Sequence, residues 1–291
     1  MNPVTPASST PWPRAIAWGA VILSTVPEII WQESGHKVGF WFTTGESLII
    51  LLAALAAIWV RSLRPLVRFL IAVTILNFTW DYLSPALANL PAVRAVTDHS
   101  SWGARLFLNR IFTLSGAILV ALTLIGSGAN RHDLFLAWGN PAAPVHPMRI
   151  RWTLLGPIIL VVFALVMAPY LYLTVDPNFR LTERIVRTLP WSLAVATLNA
   201  ASEEFQFRNI LLAHLRAVFG PAENALLTAA FFGLGHYYGQ PSGTLGVAMA
   251  SFAGWIWARS MIDTRGSVWA FVIHMFQDIV IFTFLVVGAG M

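Results

Sequence analysis

Residues 40–60 read FWFTTGESLIILLAALAAIWV, a stretch whose single ionisable side chain is Glu46. The hydrocarbon core of a bilayer takes about 20 consecutive apolar residues as a helix. In lipid a segment must satisfy its own backbone N–H and C=O groups, so a run of this length reads as a transmembrane helix. Working outward, apolar runs bounded by charges, Pro and Gly recur along the whole chain. They predict nine spans, at roughly 14–31, 40–60, 66–83, 106–126, 152–173, 188–216, 222–238, 244–260 and 267–287. The first holds Pro27 and Glu28 and is expected to be kinked or interfacial, which makes eight spans the alternative. The expected fold class is therefore all-α, a polytopic transmembrane helical bundle of about eight to nine spans.

Composition agrees. Of the 291 residues 57% are apolar and 11% charged, and mean hydropathy is +0.69. Soluble domains carry about 25% charged residues, so this chain could not cover a water-facing surface. With no cysteine, disulfides, thiolate metal sites and cysteine nucleophiles are excluded. The net charge of +5 comes from basic residues set singly or in pairs in the connections, all arginine except Lys37. No basic stripe with interleaved aromatics is present, so no nucleic-acid partner is expected. Trp12, Trp31, Trp41, Trp59, Trp80, Trp102 and Trp152 fall near segment ends and read as interfacial anchors.

Residues 1–12, rich in Pro, Ser and Thr, are expected to be a flexible N-terminus. They lack the basic start of a signal peptide, and the first apolar run has no clear cleavage site, which suggests a retained first helix. The Gly- and Pro-containing stretch 127–151 divides the chain into N-terminal transmembrane helices of unassigned role, 13–150, and a C-terminal transmembrane bundle, 151–291, expected to carry the chemistry argued from its polar residues below. Loop arginines and Lys37, ten basic residues against seven, favour a cytoplasmic N-terminus. The missing cysteines and the arginine bias fit a bacterial cytoplasmic membrane.

A charge near the bilayer centre costs on the order of 2.5–3.5 kcal/mol by insertion scales, so such residues need a reason. In the last hundred residues they gather. The sixth span carries Ser202-Glu203-Glu204-Phe205-Gln206-Phe207-Arg208, the seventh ends Phe232-Gly233-Leu234-Gly235-His236, and the ninth holds His274-Met275-Phe276-Gln277-Asp278. Spans six and seven meet at Gly220-Pro221, and Glu203 precedes that turn by nearly as many residues as His236 follows it. At 1.5 Å per residue both lie about 25 Å from the turn, at one depth. His274 and Asp278, four apart, share a helix face, and Glu204 and Arg208 at the same spacing allow an intrahelical ion pair. Glu28, Glu46 and Asp81 take a structural reading instead: a kinked span, a span end and a polar bundle contact.

A carboxylate beside a neutral imidazole in a poorly hydrated site makes a general base for water. A second imidazole with a hydrogen-bonding neighbour can stabilise an oxyanion. Together these parts describe hydrolysis of an amide by activated water, with a substrate that arrives through or along the membrane. Ser202 beside Glu203 is the one serine that spacing leaves open as a nucleophile.

At these residues the sequence resembles the CAAX protease and bacteriocin-processing (CPBP, or Abi) family of intramembrane endopeptidases, which includes the type II CAAX prenyl proteases. The shared pattern is Glu-Glu-x-x-x-Arg, Phe-x-x-x-His and His-x-x-x-Asn or His-x-x-x-Asp on successive core helices. Here it reads Glu203-Glu204…Arg208, Phe232…His236 and His274…Asp278. The likeness covers about 188–287 and leaves 1–150 outside. It implies that Glu203 activates water with help from His236, and that His274 and Asp278 bind the scissile carbonyl and its oxyanion. It also implies that Glu204 and Arg208 shape the site and that Phe232 packs beside it. The prenyl proteases carry Asn at the last position, whereas Asp278 donates a hydrogen bond only when protonated. The family has been described both as metalloproteases and as glutamate proteases. A metal-free mechanism is favoured here; a zinc ion, if used, would fall to His236, His274 and Asp278 or Glu203.

The implied partners are the lipid bilayer and a membrane-associated protein or peptide: a lipidated C-terminus, a bacteriocin leader or a C-terminal transmembrane anchor. Two readings of other classes compete. A proton-coupled transporter also uses intramembrane Glu and His, but no matching inverted halves are found. A non-catalytic immunity or scaffold protein would have no use for so many costly polar residues.

Overall fold

The computed structural model describes residues 11–128, 130–131, 134–174 and 181–288. The expected flexible stretch falls mostly outside them, at 1–10. Among the described residues the chain is helical, its one strand-like feature being an isolated bridge between Pro144 and Arg151. Among the described residues seven helical segments are long and apolar enough to cross a membrane, which makes this an integral membrane protein.

Pro27 divides the first span. Helix α1 (Trp12–Leu23) stops two residues before α2 (Val26–Glu33), where the proline occupies the first turn. A proline there has no N–H to lose, whereas inside a continuous helix its ring would clash with the preceding turn. Helix α3 (Phe40–Trp59) matches the expected second span. The third runs from α4 (Val67–Phe78) through a π-helical turn at Thr79–Leu83 into α5 (Ser84–Ala88). The short α6 (Pro91–Thr97) precedes α7 (Trp102–Gly126), whose N-cap Ser101 accepts a hydrogen bond from the Ala104 amide.

The C-terminal half begins with α8 (Trp152–Thr174) and α9 (Leu181–Glu203). Helix α9 continues as a π-helical segment, Glu204–Leu212, that ends in the single turn α10 (Ala213–Leu215). After Gly220 come α11 (Pro221–Leu234), α12 (Gly243–Thr264) and α13 (Val268–Gly288). The expected spans 188–216 and 222–238 are helical but are not among the seven: the first carries the charged site residues, and α11 is only 14 residues long.

Helices α11 and α12 pack together, α13 lies against α9 and α8, and α7 lies against α9. One buried apolar cluster runs through both halves, from Val21, Phe69 and Leu76 to Ile210, Phe231 and Ile273. Large side chains outside it point outward: Trp41 and Trp59 are 81% and 85% exposed, and Leu52, Leu122 and Leu165 are exposed as well, as side chains facing lipid would be. Two of the expected anchors face inward instead. Trp152 is buried and donates through Nε1 to Asp263, and half-buried Trp80 donates to Gln206 Oε1 at 3.0 Å.

The connection before α8 latches onto the α12–α13 corner. Asn140 N–H donates to the Thr264 carbonyl at 2.8 Å and Ser267 N–H to the Ala137 carbonyl at 3.0 Å. Gly139, at φ +72°, and Gly266 approach so closely that a Cβ on either would collide with the other's backbone.

Candidate active site

Four elements converge on one site: the end of α9, the π-helical segment after it, the turn beyond α11, and the first half of α13. Glu203 closes α9, its side chain 18% exposed, with Oε2 3.4 Å from His274 Nε2. That oxygen is buried and has no hydrogen-bond partner among the described residues. Glu204 opens the π-helical segment and meets the other nitrogen of the same imidazole. It is buried, accepts a 2.8 Å hydrogen bond from His274 Nδ1–H, and pairs with Arg208 NH1 at 3.3 Å. The ion pair expected from the spacing is therefore present.

Arg208 is fully buried and sandwiched by aromatic faces, its guanidinium carbon 4.3 Å from the Phe232 centroid and 4.8 Å from that of Trp257. Trp257 also stacks on His274 at 3.8 Å with planes 12° apart. Phe232 meets His274 edge-on at 5.9 Å. The imidazole of His274 is thus fixed in plane by an indole and in rotation by a carboxylate. Its free nitrogen, Nε2, faces Glu203 and, at 3.6 Å, Asp278 Oδ2.

His236 lies in the turn just past α11 rather than within the helix. Its Nδ1 sits 2.8 Å from the Phe232 carbonyl. A carbonyl only accepts, so Nδ1 carries the proton and neutral His236 presents an unprotonated Nε2. Every residue expected at the site is thus brought together: Glu203, His236, His274 and Asp278 around an open space, and Glu204, Arg208 and Phe232 behind them. Ser202 is buried and its hydroxyl accepts from Gln206 Nε2 at 2.8 Å.

Two residues escape the sequence reading. Asn199, buried one turn before Glu203, donates through Nδ2 to Asp278 Oδ2 at 2.9 Å and leaves Oδ1 unpartnered. Its i, i+4 relation to Glu203 could have found it. Arg110 comes from α7 and lies near enough for its charge to act on Glu203 and Asp278. Placed at the head of span 106–126, it reads in the sequence as one more loop arginine.

Two cavities meet here, sharing Arg110, Asn199, Glu203, Phe232 and His236 as walls. The larger, about 600 Å³, extends among the N-terminal helices. The smaller, about 400 Å³, runs between α8, α12 and α13 and is lined by Phe163, Met167, Met249, Ile281, Phe282 and Leu285. Among the described residues no group of three or more His, Asp or Glu side chains is arranged to hold a metal ion.

Residues 185–280 match the family model described as type II CAAX prenyl endopeptidase, Rce1-like. This third of the chain is thus similar to the type II CAAX prenyl endopeptidases, and it spans all seven expected site residues. No curated protein and no solved structure matches the chain.

Proposed function

We propose that this protein is a glutamate-dependent intramembrane endopeptidase that cleaves a membrane-associated protein or peptide with water activated by Glu203. One observation carries the reading: the unpartnered Oε2 of Glu203, buried at the meeting point of two cavities and flanked by two imidazoles. A carboxylate held without a partner in such a place is costly; a water that hydrogen-bonds it offsets that cost and becomes the nucleophile.

Glu203 takes a proton from the water as it attacks the scissile carbonyl. His236, with Nδ1–H engaged by the Phe232 carbonyl, accepts the water's other hydrogen at Nε2 and orients it. His274, held at Nδ1 by Glu204, offers an Nε2–H to the developing oxyanion in its protonated form. Glu203 then returns the abstracted proton to the leaving amine, so the products are one carboxyl and one amine terminus. Asp278 stands where the prenyl proteases carry Asn, and Asn199 beside it supplies an amide: one Nδ2–H is given to Asp278 and the second remains for the oxyanion. No step uses a metal. The apolar cavity between α8, α12 and α13 suits a lipid chain or apolar residues on one side of the scissile bond.

The test is a comparison of protein termini by mass spectrometry in cells expressing the wild type or Glu203→Gln at matched membrane levels. A defined terminus near a lipidated or transmembrane segment, formed only by the wild type, supports the reading. Identical profiles with both proteins folded and abundant would sink it.

A further inference from the structure

Glu28, Glu46 and Asp81 come from α2, α3 and the π-helical turn after α4, yet all three line the larger cavity, the one Glu203 also lines. Glu46 interacts electrostatically with both of the others. Among the described residues no basic side chain pairs with any of them. The one cation on that cavity's described wall, Arg110, stands at its far end, where its charge acts on Glu203 and Asp278.

Two further atoms point to an occupant. Glu46 is 9% exposed with a buried Oε1 that has no partner, and Ser84, 7% exposed, has an unpartnered Oγ. Both side chains line the same space. Unsatisfied buried acceptors beside uncompensated carboxylates are costly in a membrane protein. A single ligand relieves all of them: an ammonium or guanidinium group, which brings positive charge and several N–H donors.

Building on the endopeptidase reading, we infer that this acidic chamber binds a lysine or arginine side chain of the substrate. The scissile bond is then held at Glu203, between a basic residue in one cavity and an apolar group in the other. The protein would select chains that place a positive charge within a few residues of their membrane-embedded part.

Binding is measured on the full chain carrying Glu203→Gln, in phosphatidylcholine–phosphatidylglycerol nanodiscs, so that no cleavage intervenes. The probes are dansylated, S-farnesylated peptides with a lysine before or after the prenylated cysteine, and a twin with norleucine at the same positions. At least one lysine peptide is expected to bind about tenfold or more tighter than the twin, the scale of a charge-assisted hydrogen bond. Adding Glu46→Gln with Asp81→Asn should reduce the ratio below about twofold, while Glu46→Asp, which keeps the charge, should preserve it. Should the double substitution fail to fold, Glu28→Gln alone should lower the ratio. Equal binding of all peptides would mean a water-filled antechamber only and overturns the inference. A lysine preference that survives neutralisation, or no saturable binding of either lysine peptide, overturns it as well. Cleavage of the norleucine twin by the chain with Glu203 intact is read in parallel. Its absence counts against the peptidase and leaves the binding ratio to judge the chamber.

Discussion

Glu204→Gln should destabilise this protein severely, and Arg208→Met should largely repair the damage. Arg208 has no exposed surface, and its one carboxylate contact at ion-pair distance among the described residues is Glu204, 3.3 Å away. Its three guanidinium nitrogens make no hydrogen bond among the described residues. Breaking a buried pair on one side leaves an uncompensated charge and costs about 3–5 kcal/mol. The same change replaces a charged acceptor of His274 Nδ1–H with a neutral one, at a cost of about 1 kcal/mol. At roughly 2–4 °C per kcal/mol for a chain of this size, Tm should fall by about 8–24 °C. Replacing the whole pair by neutral groups of similar volume is often neutral or better. The methionine thioether in Arg208→Met would also keep a contact with the faces of Phe232 and Trp257. The double variant should therefore melt well above Glu204→Gln alone, giving a coupling of at least about 2 kcal/mol in the mutant cycle. Intrinsic fluorescence of the 13 tryptophans during heating in detergent reads both numbers. A Glu204→Gln midpoint within about 2 °C of the wild type would refute the reasoning, and so would strictly additive effects.

Glu203→Gln should lower peptide hydrolysis by at least about 10²-fold with Tm nearly unchanged, measured by reporter cleavage and melting on one preparation. Asn199→Ala should reduce kcat about tenfold or more with a smaller change in KM, the loss of one oxyanion donor being costly; an unchanged kcat would remove Asn199 from the mechanism. Gly233→Ala puts a Cβ into Ser251 Oγ and 2.6 Å from the Val247 carbonyl. It should cost about 1–3 kcal/mol by overpacking, and adding Ser251→Ala should recover only part, because the carbonyl stays. Prolonged dialysis against a zinc chelator should leave hydrolysis intact, and loss restored by added zinc would require a different first step.

Much of this was legible in residue order. Apolar length placed the spans, because lipid imposes one rule on every segment that crosses it. The three polar motifs announced the site, because a charge in an apolar run is too expensive to be incidental. What stayed hidden depended on register and on distant packing. Nothing local signals that the helix after Glu203 opens into a π-helical segment, yet at that junction the two neighbouring carboxylates reach the two nitrogens of one imidazole. Trp80 and Trp152 sit near span ends as anchors do, and only the packing of other helices turns them inward. Glu28, Glu46 and Asp81 are each ordinary when read alone. Their common cavity follows from a break at Pro27 and a π-helical turn at Thr79–Leu83, features of backbone path that single-segment reading passes over.

The latch at the α12–α13 corner has a mechanical consequence. It pins the start of α13, at Val268, to the Ala137–Asn140 backbone. At 1.5 Å per residue, His274 lies roughly 9 Å along the rod from that pin, Asp278 roughly 15 Å, and Leu285 roughly 25 Å. A swing about the pinned end would therefore carry Leu285 nearly three times as far as His274. Leu285 is a wall of the apolar cavity. The molecule thus has a lever with its short arm at His274 and its long arm at the wall of the apolar cavity, so that a tilt widening that cavity would move His274 only about a third as far.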